Sequence, residues 1–203
     1  MRDWWLRTLL VLQRPKPVFQ ALRDDSNEAA GDRAEQVLLV VWLAGIAGVL
    51  TTGAAASLMD NIDYTPIIVA IWAFIAGGVY GAFAYFFFGA LLYAGVRAFG
   101  SQGSYRRARH VLAFAAVPLA LSLVLWPVKL ALYGGDWFRT GGSDTGAGGL
   151  VFDLLTYAFF LWGVVLLVVG VRAVHRWPWT RALAACVLAV AAPIVVGVLL
   201  TSV

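Results

Sequence analysis

Five long apolar stretches occupy most of this chain beyond residue 35, and they limit its fold more than any other feature. A helix needs about 20 predominantly apolar residues to cross the hydrocarbon core of a bilayer. With only 13% charged residues, the chain has too little polar surface to face water on all sides. The sequence therefore predicts an all-α polytopic membrane protein: a bundle of five transmembrane helices preceded by a short N-terminal interfacial amphipathic helix.

The predicted domain boundaries follow from the charged connections between the stretches. Residues 1–35 are expected to form an N-terminal segment that contains the interfacial helix, and residues 36–203 the transmembrane domain. The five spans are expected at approximately 37–58, 66–97, 111–132, 150–171 and 182–200.

The interfacial helix is expected near the start of the chain, where an apolar block is too short to span a bilayer. In a helix, Arg7 falls on one face and Trp5, Leu9 and Leu12 fall on the opposite face. Such a helix lies in the plane of the membrane surface, with its tryptophans at headgroup depth. The residues that follow, 18–22, are expected to add one or two further turns at the surface.

The second apolar stretch is unusually long. From Tyr64 to Val96 the chain carries no charge over 33 residues, which is roughly 50 Å of helix against a hydrocarbon core of about 30 Å. Either one helix tilts or protrudes, or Gly77-Gly78 breaks the segment into a re-entrant pair. We expect one helix, because a hairpin would place every later connection on the opposite side of the membrane. The arginines described below would then no longer lie on one side.

Small residues and prolines mark the predicted packing and bending positions. Gly77, Gly81 and Gly89 are spaced at multiples of four residues, so they form a ridge with notches for a neighbouring helix. A substrate path along this ridge is the alternative interpretation. Pro118, in the middle of span three, removes a backbone donor and predicts a kink.

Basic residues are concentrated on one side of the predicted bundle. The N-terminal segment, the second connection and the fourth connection together carry 13 basic residues, whereas the other connections carry only Lys129 and Arg139. Because cytoplasmic ends of membrane spans accumulate Lys and Arg, we expect a cytoplasmic N-terminus and an extracytoplasmic C-terminus. The excess of Arg over Lys is typical of GC-rich bacterial genomes, so we expect a multi-pass protein of a bacterial plasma membrane.

The chain contains little that could support catalysis or metal binding. Cys186 is the only cysteine, and His110 and His175 are isolated beside arginines, so no disulfide, thiolate cluster or metal site is expected. Neither an HExxH nor a GxSxG motif occurs; no cofactor is expected, and the chain is predicted not to be an enzyme. The basic connections lack interleaved stacking aromatics, which argues against nucleic acid as a partner.

Asp153 is an ionisable residue inside a predicted span, and such residues are functional candidates. It lies about one turn from the expected outer boundary of its span, where water can hydrate the carboxylate at little cost in free energy. A negative charge there also interacts favourably with the N-terminal end of the helix. Lys129 is expected at a similar depth, so the two could form an intramembrane polar pair of structural character. A proton or cation site at Asp153 is the alternative.

Three short motifs carry a resemblance to a known family: PKPVF at residues 15–19, GSQGSYRR at 100–107 and VLAFAAVP at 111–118. They resemble the membrane-proximal segment, the glycine-containing basic loop and the following proline-containing span of the Yip-domain family, named for Ypt/Rab-interacting proteins. The resemblance covers roughly residues 15–200, and it implies five spans and a cytoplasmic N-terminus.

In eukaryotic members, the resemblance would imply vesicle traffic between endoplasmic reticulum and Golgi, with small prenylated GTPases as partners. This chain lacks the long acidic cytoplasmic region of those members and its Gly-Pro motif, so GTPase binding is not carried over. It is more similar to the compact bacterial members of the family.

Two functional hypotheses follow. The first is a non-enzymatic protein that organises membrane or binds lipids, other membrane proteins or a second copy of itself. Its candidate contacts with anionic headgroups, each worth about 1 kcal/mol near the surface, are Arg106, Arg107, Arg109, Arg172, Arg176 and Arg181. These arginines could also serve only to set orientation. The second hypothesis is a small transporter, permease component or lipid-moving protein with a path between spans two and three.

Overall fold

The computed structural model describes residues 2–61 and 64–201, and the chain is all-helical within these ranges. The all-α class expected from the apolar stretches is therefore confirmed. The helices in chain order are α1 (Arg2–Leu10), α2 (Pro15–Ala21), α3 (Asn27–Asp32), α4 (Ala34–Leu50), α5 (Gly53–Met59), α6 (Pro66–Ala98), α7 (Tyr105–Ala115), α8 (Val117–Leu121), α9 (Leu125–Tyr133), α10 (Ala147–His175) and α11 (Trp179–Thr201).

The N-terminal segment is packed into the protein more deeply than the sequence suggested. The side chains of Phe19 and Leu22 are 0% exposed and belong to the main buried core. They fit there because Gly170 of α10 leaves room for the Phe19 ring: a Cβ on Gly170 would lie 2.8 Å from Phe19 Cε1. The expectation that residues 18–22 form surface turns was therefore wrong. A helix does occur at the start of the chain, and its placement at a membrane interface stays a prediction.

The first predicted span, 37–58, is two helices. α4 and α5 meet at an angle of 64°. At the junction, Thr51 Oγ1 donates to Gly48 O over 2.7 Å and Thr52 Oγ1 donates to Val49 O over 2.6 Å. Threonine hydroxyls offer the backbone such local partners in place of continued helix, which favours a break at this point.

The long second stretch is one uninterrupted helix, α6, as the sequence predicted. Thr65 caps its N-terminus by accepting a hydrogen bond from Ile68 N, and Pro66 occupies the first helical position. This is the position where proline costs least, because its missing N–H would have no helical partner. Gly77 and Gly78 lie in the interior of the helix and do not break it.

The third span is interrupted where proline predicted a bend. α7 ends at Ala115 and α8 begins at Val117, with Pro118 as its second residue. A short 3-10 turn at Ser122–Val124 then leads into α9. A further 3-10 turn, Gly134–Phe138, opens the glycine-rich connection to α10.

Three helical segments of the described chain are long and apolar enough to cross a bilayer: Ile67–Ala98, Tyr105–Phe138 and Ala147–His175. A fourth results if α4 and α5 are counted as one bent span. Within α11, Trp179–Ala191 is also apolar. The number of crossings predicted from the sequence, five, stays a prediction.

α4 and α6 pack with their backbones in contact. A Cβ on Gly45 would lie 2.0 Å from Gly77 O and 2.7 Å from Gly81 Cα, and a Cβ on Gly81 would lie 2.3 Å from Val41 O. Only glycine permits so close an approach, which is how small residues bring membrane helices together. Two of the glycines of the predicted ridge therefore lie in the interface with α4.

The outer surfaces of α6 and α10 are strongly apolar. On α6, Ile67, Phe74 and Phe83 are each more than half exposed, and on α10 so are Leu154 and Leu161. Exposed apolar surface on this scale would be unfavourable in water, so it indicates a lipid environment. The structure thus supports a membrane protein.

Candidate functional site at the basic end

The connections that carry most of the arginines meet at one end of the bundle, which we call the basic end. Arg181, at the start of α11, donates from Nε to Phe99 O over 3.1 Å. Arg23, after α2, donates from Nε to Ala173 O over 3.2 Å. Arg107 of α7 in turn donates to Arg23 O over 2.7 Å. These bonds satisfy carbonyls at helix ends and join the N-terminal segment to α7 and α10.

Asp25 is the acidic centre of the basic end. Its Oδ1 accepts from Arg106 Nε over 3.0 Å and lies 3.7 Å from Arg33 Nη2, and its Oδ2 accepts from Ser104 Oγ. Burial raises the pKa of Asp25, but the hydrogen bonds from Ser104 and Arg106 outweigh it and hold that pKa below its ordinary value. The carboxylate therefore stays ionised near neutral pH and ties the N-terminal segment to the loop before α7.

Arg33 is fully buried at the start of α4. Its Nε donates to His110 Nδ1 over 2.9 Å, and its Nη2 donates to Asp24 O over 2.9 Å. A guanidinium buried in this way requires such partners, because an unpaired buried charge is very costly. His110 accepts through Nδ1, so that nitrogen carries no proton. In the sequence, Arg33 contributes only to the count of basic residues that predicts orientation, and its neighbours in the chain do not distinguish it from the exposed arginines.

Arg106 and Arg107, two of the predicted headgroup contacts, make internal bonds. Besides Asp25, Arg106 donates from Nη1 to Asn27 Oδ1 over 2.8 Å. Arg107 bonds Arg23 O, as described above. Both side chains therefore help to hold the N-terminal segment, and their contact with lipid stays a prediction.

Arg109 lies among aromatic rings. Its Cζ is 5.1 Å from the ring centroid of Tyr85, 4.7 Å from that of Phe86 and 4.5 Å from that of Tyr105. A cation over several aromatic faces is stabilised by the ring quadrupoles. A Cβ on Gly89 would lie 2.4 Å from Arg109 Cγ, so this third glycine of the predicted ridge provides the space for the arginine stem.

The remaining three predicted contacts flank the tryptophans of the turn between α10 and α11. Arg172 Cζ lies 4.5 Å from the ring centroid of Trp179, and Arg181 Cζ lies 4.4 Å from that of Trp177. Arg176 ends α10 in the left-handed conformation, with φ of 56°, and is exposed. This group places guanidinium groups beside amphipathic rings of the kind that favour the headgroup region.

Lys129 lies at the opposite end of the bundle, in an aromatic environment. The residue is 5% exposed, and its Nζ is 4.4 Å from the ring centroid of Trp126, 5.0 Å from that of Trp137 and 5.5 Å from that of Phe152. The Asp153 side chain is exposed. The polar pair of Lys129 and Asp153 stays a prediction.

A small cavity of about 10 Å³ lies at the basic end, between α6, α7 and α10. That volume corresponds to about one water molecule. Ser101, Ser104, Arg107 and His175 supply its polar lining. The transport path predicted as an alternative between spans two and three stays a prediction.

The model of the Yip1 domain matches residues 9–201 of this chain. The chain belongs to the Yip1 domain family. The resemblance inferred from the three motifs is thereby confirmed. Among curated proteins and among solved structures, no match was found. Yip1-domain proteins are in general non-enzymatic membrane proteins, which agrees with the apolar outer surfaces of α6 and α10.

The glycine-containing motif of this Yip1-domain chain forms the loop before α7. Gly100 adopts φ of 81°, a conformation that a residue with a side chain rarely takes. Ser101 Oγ accepts from Gly103 N over 3.0 Å, and Ser104 Oγ caps α7 by accepting from Arg107 N over 3.0 Å. The motif thus positions Ser104 and the arginines after it against the N-terminal segment.

Proposed function

We propose that this Yip1-domain protein is a non-enzymatic, multi-pass protein of a bacterial plasma membrane that organises membrane by holding anionic lipids at its basic end. The N-terminus and the basic end would lie in the cytoplasm, and other membrane proteins or a second copy of the chain would be its protein partners. The observation that carries the proposal is the group of Arg172, Arg176 and Arg181 beside two tryptophans.

The proposal gives different roles to the two sets of arginines. Arg106, Arg107 and Arg109 are engaged with the N-terminal segment or with aromatic rings, so they mainly stabilise the fold. Arg176 is exposed, and Arg181 is exposed although its Nε donates to Phe99 O. Guanidinium groups match the geometry of phosphate. Each basic side chain near an anionic surface contributes about 1 kcal/mol of attraction, so three together would select anionic over neutral lipid.

Native mass spectrometry of the full chain in detergent tests this role. We expect the triple variant Arg172→Gln, Arg176→Gln, Arg181→Gln to retain phosphatidylglycerol far less than the wild type, by roughly two orders of magnitude if the contributions add. Arg14→Gln, which removes an exposed arginine that belongs neither to this group nor to the opposite end, is the control and should change retention little.

Two results would count against the proposal. Unchanged retention of phosphatidylglycerol by the triple variant would show that these arginines only set orientation. Equal loss in Arg14→Gln would show that retention depends on total charge and not on this group of arginines. Circular dichroism of each variant separates these outcomes from misfolding.

A further inference from the structure

A polar cleft of about 660 Å³ opens at the end of the bundle opposite the basic end. It lies between the C-terminal end of α5 and the glycine-rich connection between α9 and α10. Its lining includes Asp60, Tyr64, Asp136 and Arg139, with Gly135 and Gly142 adding backbone. The volume is in the range of small-molecule sites, about 300–1,000 Å³.

The acidic side of the cleft is held in place by the connection itself. Asp60 Oδ1 accepts from Thr140 N over 2.9 Å, which ties the connection to the end of α5. Asp136 Oδ2 accepts from Ser143 N over 3.1 Å and from Ser143 Oγ over 2.7 Å. The hydrogen bonds from Thr140 hold the pKa of Asp60 below its ordinary value, so this carboxylate is charged at neutral pH.

Arg139 supplies the opposite charge in the same cleft. The ion pairs found in the described part of the chain join Asp25 to Arg33 and to Arg106, so Arg139 is not within 4.0 Å of either cleft carboxylate. Arg139 is still close enough to help hold the pKa of Asp60 low, so the cleft presents neighbouring anionic and cationic groups that do not form an ion pair. A ligand that carries both charges would complement these groups. A simple anion would be repelled by the two carboxylates, and a simple cation would be repelled by the arginine.

The position of the cleft adds a second constraint. It lies just beyond the apolar helices α5 and α6, and Tyr64 in its lining is a residue type enriched where hydrocarbon meets water. In a bilayer that covers the apolar outer surfaces of α6 and α10, this end of the bundle would lie near the lipid headgroups. The chemistry of the lining and its position therefore agree on a small zwitterion with an anionic phosphate.

We propose that this cleft binds a headgroup of the phosphoethanolamine type, with its primary ammonium against Asp60 and Asp136 and its phosphodiester against the Arg139 guanidinium. The inference is independent of the proposed role of the basic end, because it concerns other residues and a lipid without net charge.

Retention of phosphatidylethanolamine by the purified full chain, measured by native mass spectrometry, tests the site. Asp60→Asn keeps an oxygen that can accept from Thr140 N but removes the charge, and Arg139→Gln removes the guanidinium. Each variant is expected to weaken retention about 5-fold, corresponding to the loss of one charge contact near the surface. Asp153→Asn, which removes an exposed carboxylate of α10 outside the cleft, is the matched control and should leave retention unchanged.

Competition with soluble glycerophosphoethanolamine identifies the source of the headgroup. Displacement of the lipid by the soluble compound would support recognition of the headgroup alone, and its failure to compete would support a lipid held also by its chains. The proposal is overturned if the wild type retains no phosphatidylethanolamine, or if both cleft variants retain it as well as Asp153→Asn does. Phosphatidylglycerol retention, which tests the basic end, is read separately.

Discussion

Replacement of Gly45 by alanine is the sharpest test of how the bundle is held together. The ideal Cβ of residue 45 would lie 2.0 Å from Gly77 O and 2.7 Å from both Cα and N of Gly81. All three atoms belong to the backbone of α6, so no side chain can rotate away to make room. The added methyl group must therefore push α4 and α6 apart.

The expected cost follows from the size of that displacement. Non-bonded carbon atoms are in optimal contact at about 3.5–4.0 Å, so the helices would separate by roughly 1.5 Å. A gap of even 0.5–1 Å forfeits about a quarter to a half of the dispersion attraction of each contact, and overpacking typically costs about 1–3 kcal/mol. Because backbone blocks the site, we expect the free energy of unfolding to fall by about 3 kcal/mol, roughly a 100-fold change in the folded-to-unfolded ratio.

Unfolding of the purified protein in mixed micelles with increasing SDS, followed by circular dichroism, measures this difference. Gly53→Ala is the matched control, because nothing lies within 4 Å of the Cβ that it adds at the start of α5. We expect its unfolding free energy to stay within about 0.5 kcal/mol of the wild type. If Gly45→Ala is as stable as Gly53→Ala, then α4 and α6 are not in backbone contact and the packing described here is wrong.

Two further predictions concern the N-terminal segment and the topology. Asp25→Asn removes the anion beside buried Arg33 and should destabilise the attachment of the segment by about 3 kcal/mol, seen as faster amide hydrogen exchange in residues 24–33. Because the folded pKa of Asp25 is lowered, its contribution is present above about pH 4 and is lost as pH falls through the folded value, so the exchange difference between wild type and variant should vanish in acid. For topology, single cysteines at Gln102 and Thr145 in a Cys186→Ala background should be labelled from opposite sides of the membrane. Labelling of both from one side would contradict five crossings.

The apolar pattern was sufficient to predict the helices whose environment is uniform along their length. α6 was expected at residues 66–97 and occurs at Pro66–Ala98, because uncharged residues and a Thr-Pro start leave few alternatives. The break between α4 and α5 was not predicted. Thr51 and Thr52 are uncharged, so they do not interrupt an apolar pattern, yet their hydroxyls bond carbonyls of the last turn of α4, which favours a bend there.

Membrane periodicity also could not reveal the role of the N-terminal segment. Val18, Phe19 and Leu22 are too few to form a span, and the burial of Phe19 depends on space left by Gly170, about 150 residues away in sequence. That space can accommodate the Phe19 ring only when α2 packs against α10. A short apolar group near a membrane can therefore lie either at the membrane surface or in the protein core. Its own sequence does not determine which of the two it occupies.

The arginines illustrate a related limit. A count of basic residues predicts orientation because the positive-inside bias depends on charge and not on the partner of each side chain. It treats Arg33 and Arg176 alike, although the first is fully buried on His110 and the second is exposed at the end of α10. Headgroup binding requires an accessible guanidinium, whereas attachment of the N-terminal segment requires one already occupied by internal acceptors. A sequence can thus predict orientation, but the assignment of a binding surface depends on which arginines have satisfied their donors within the fold.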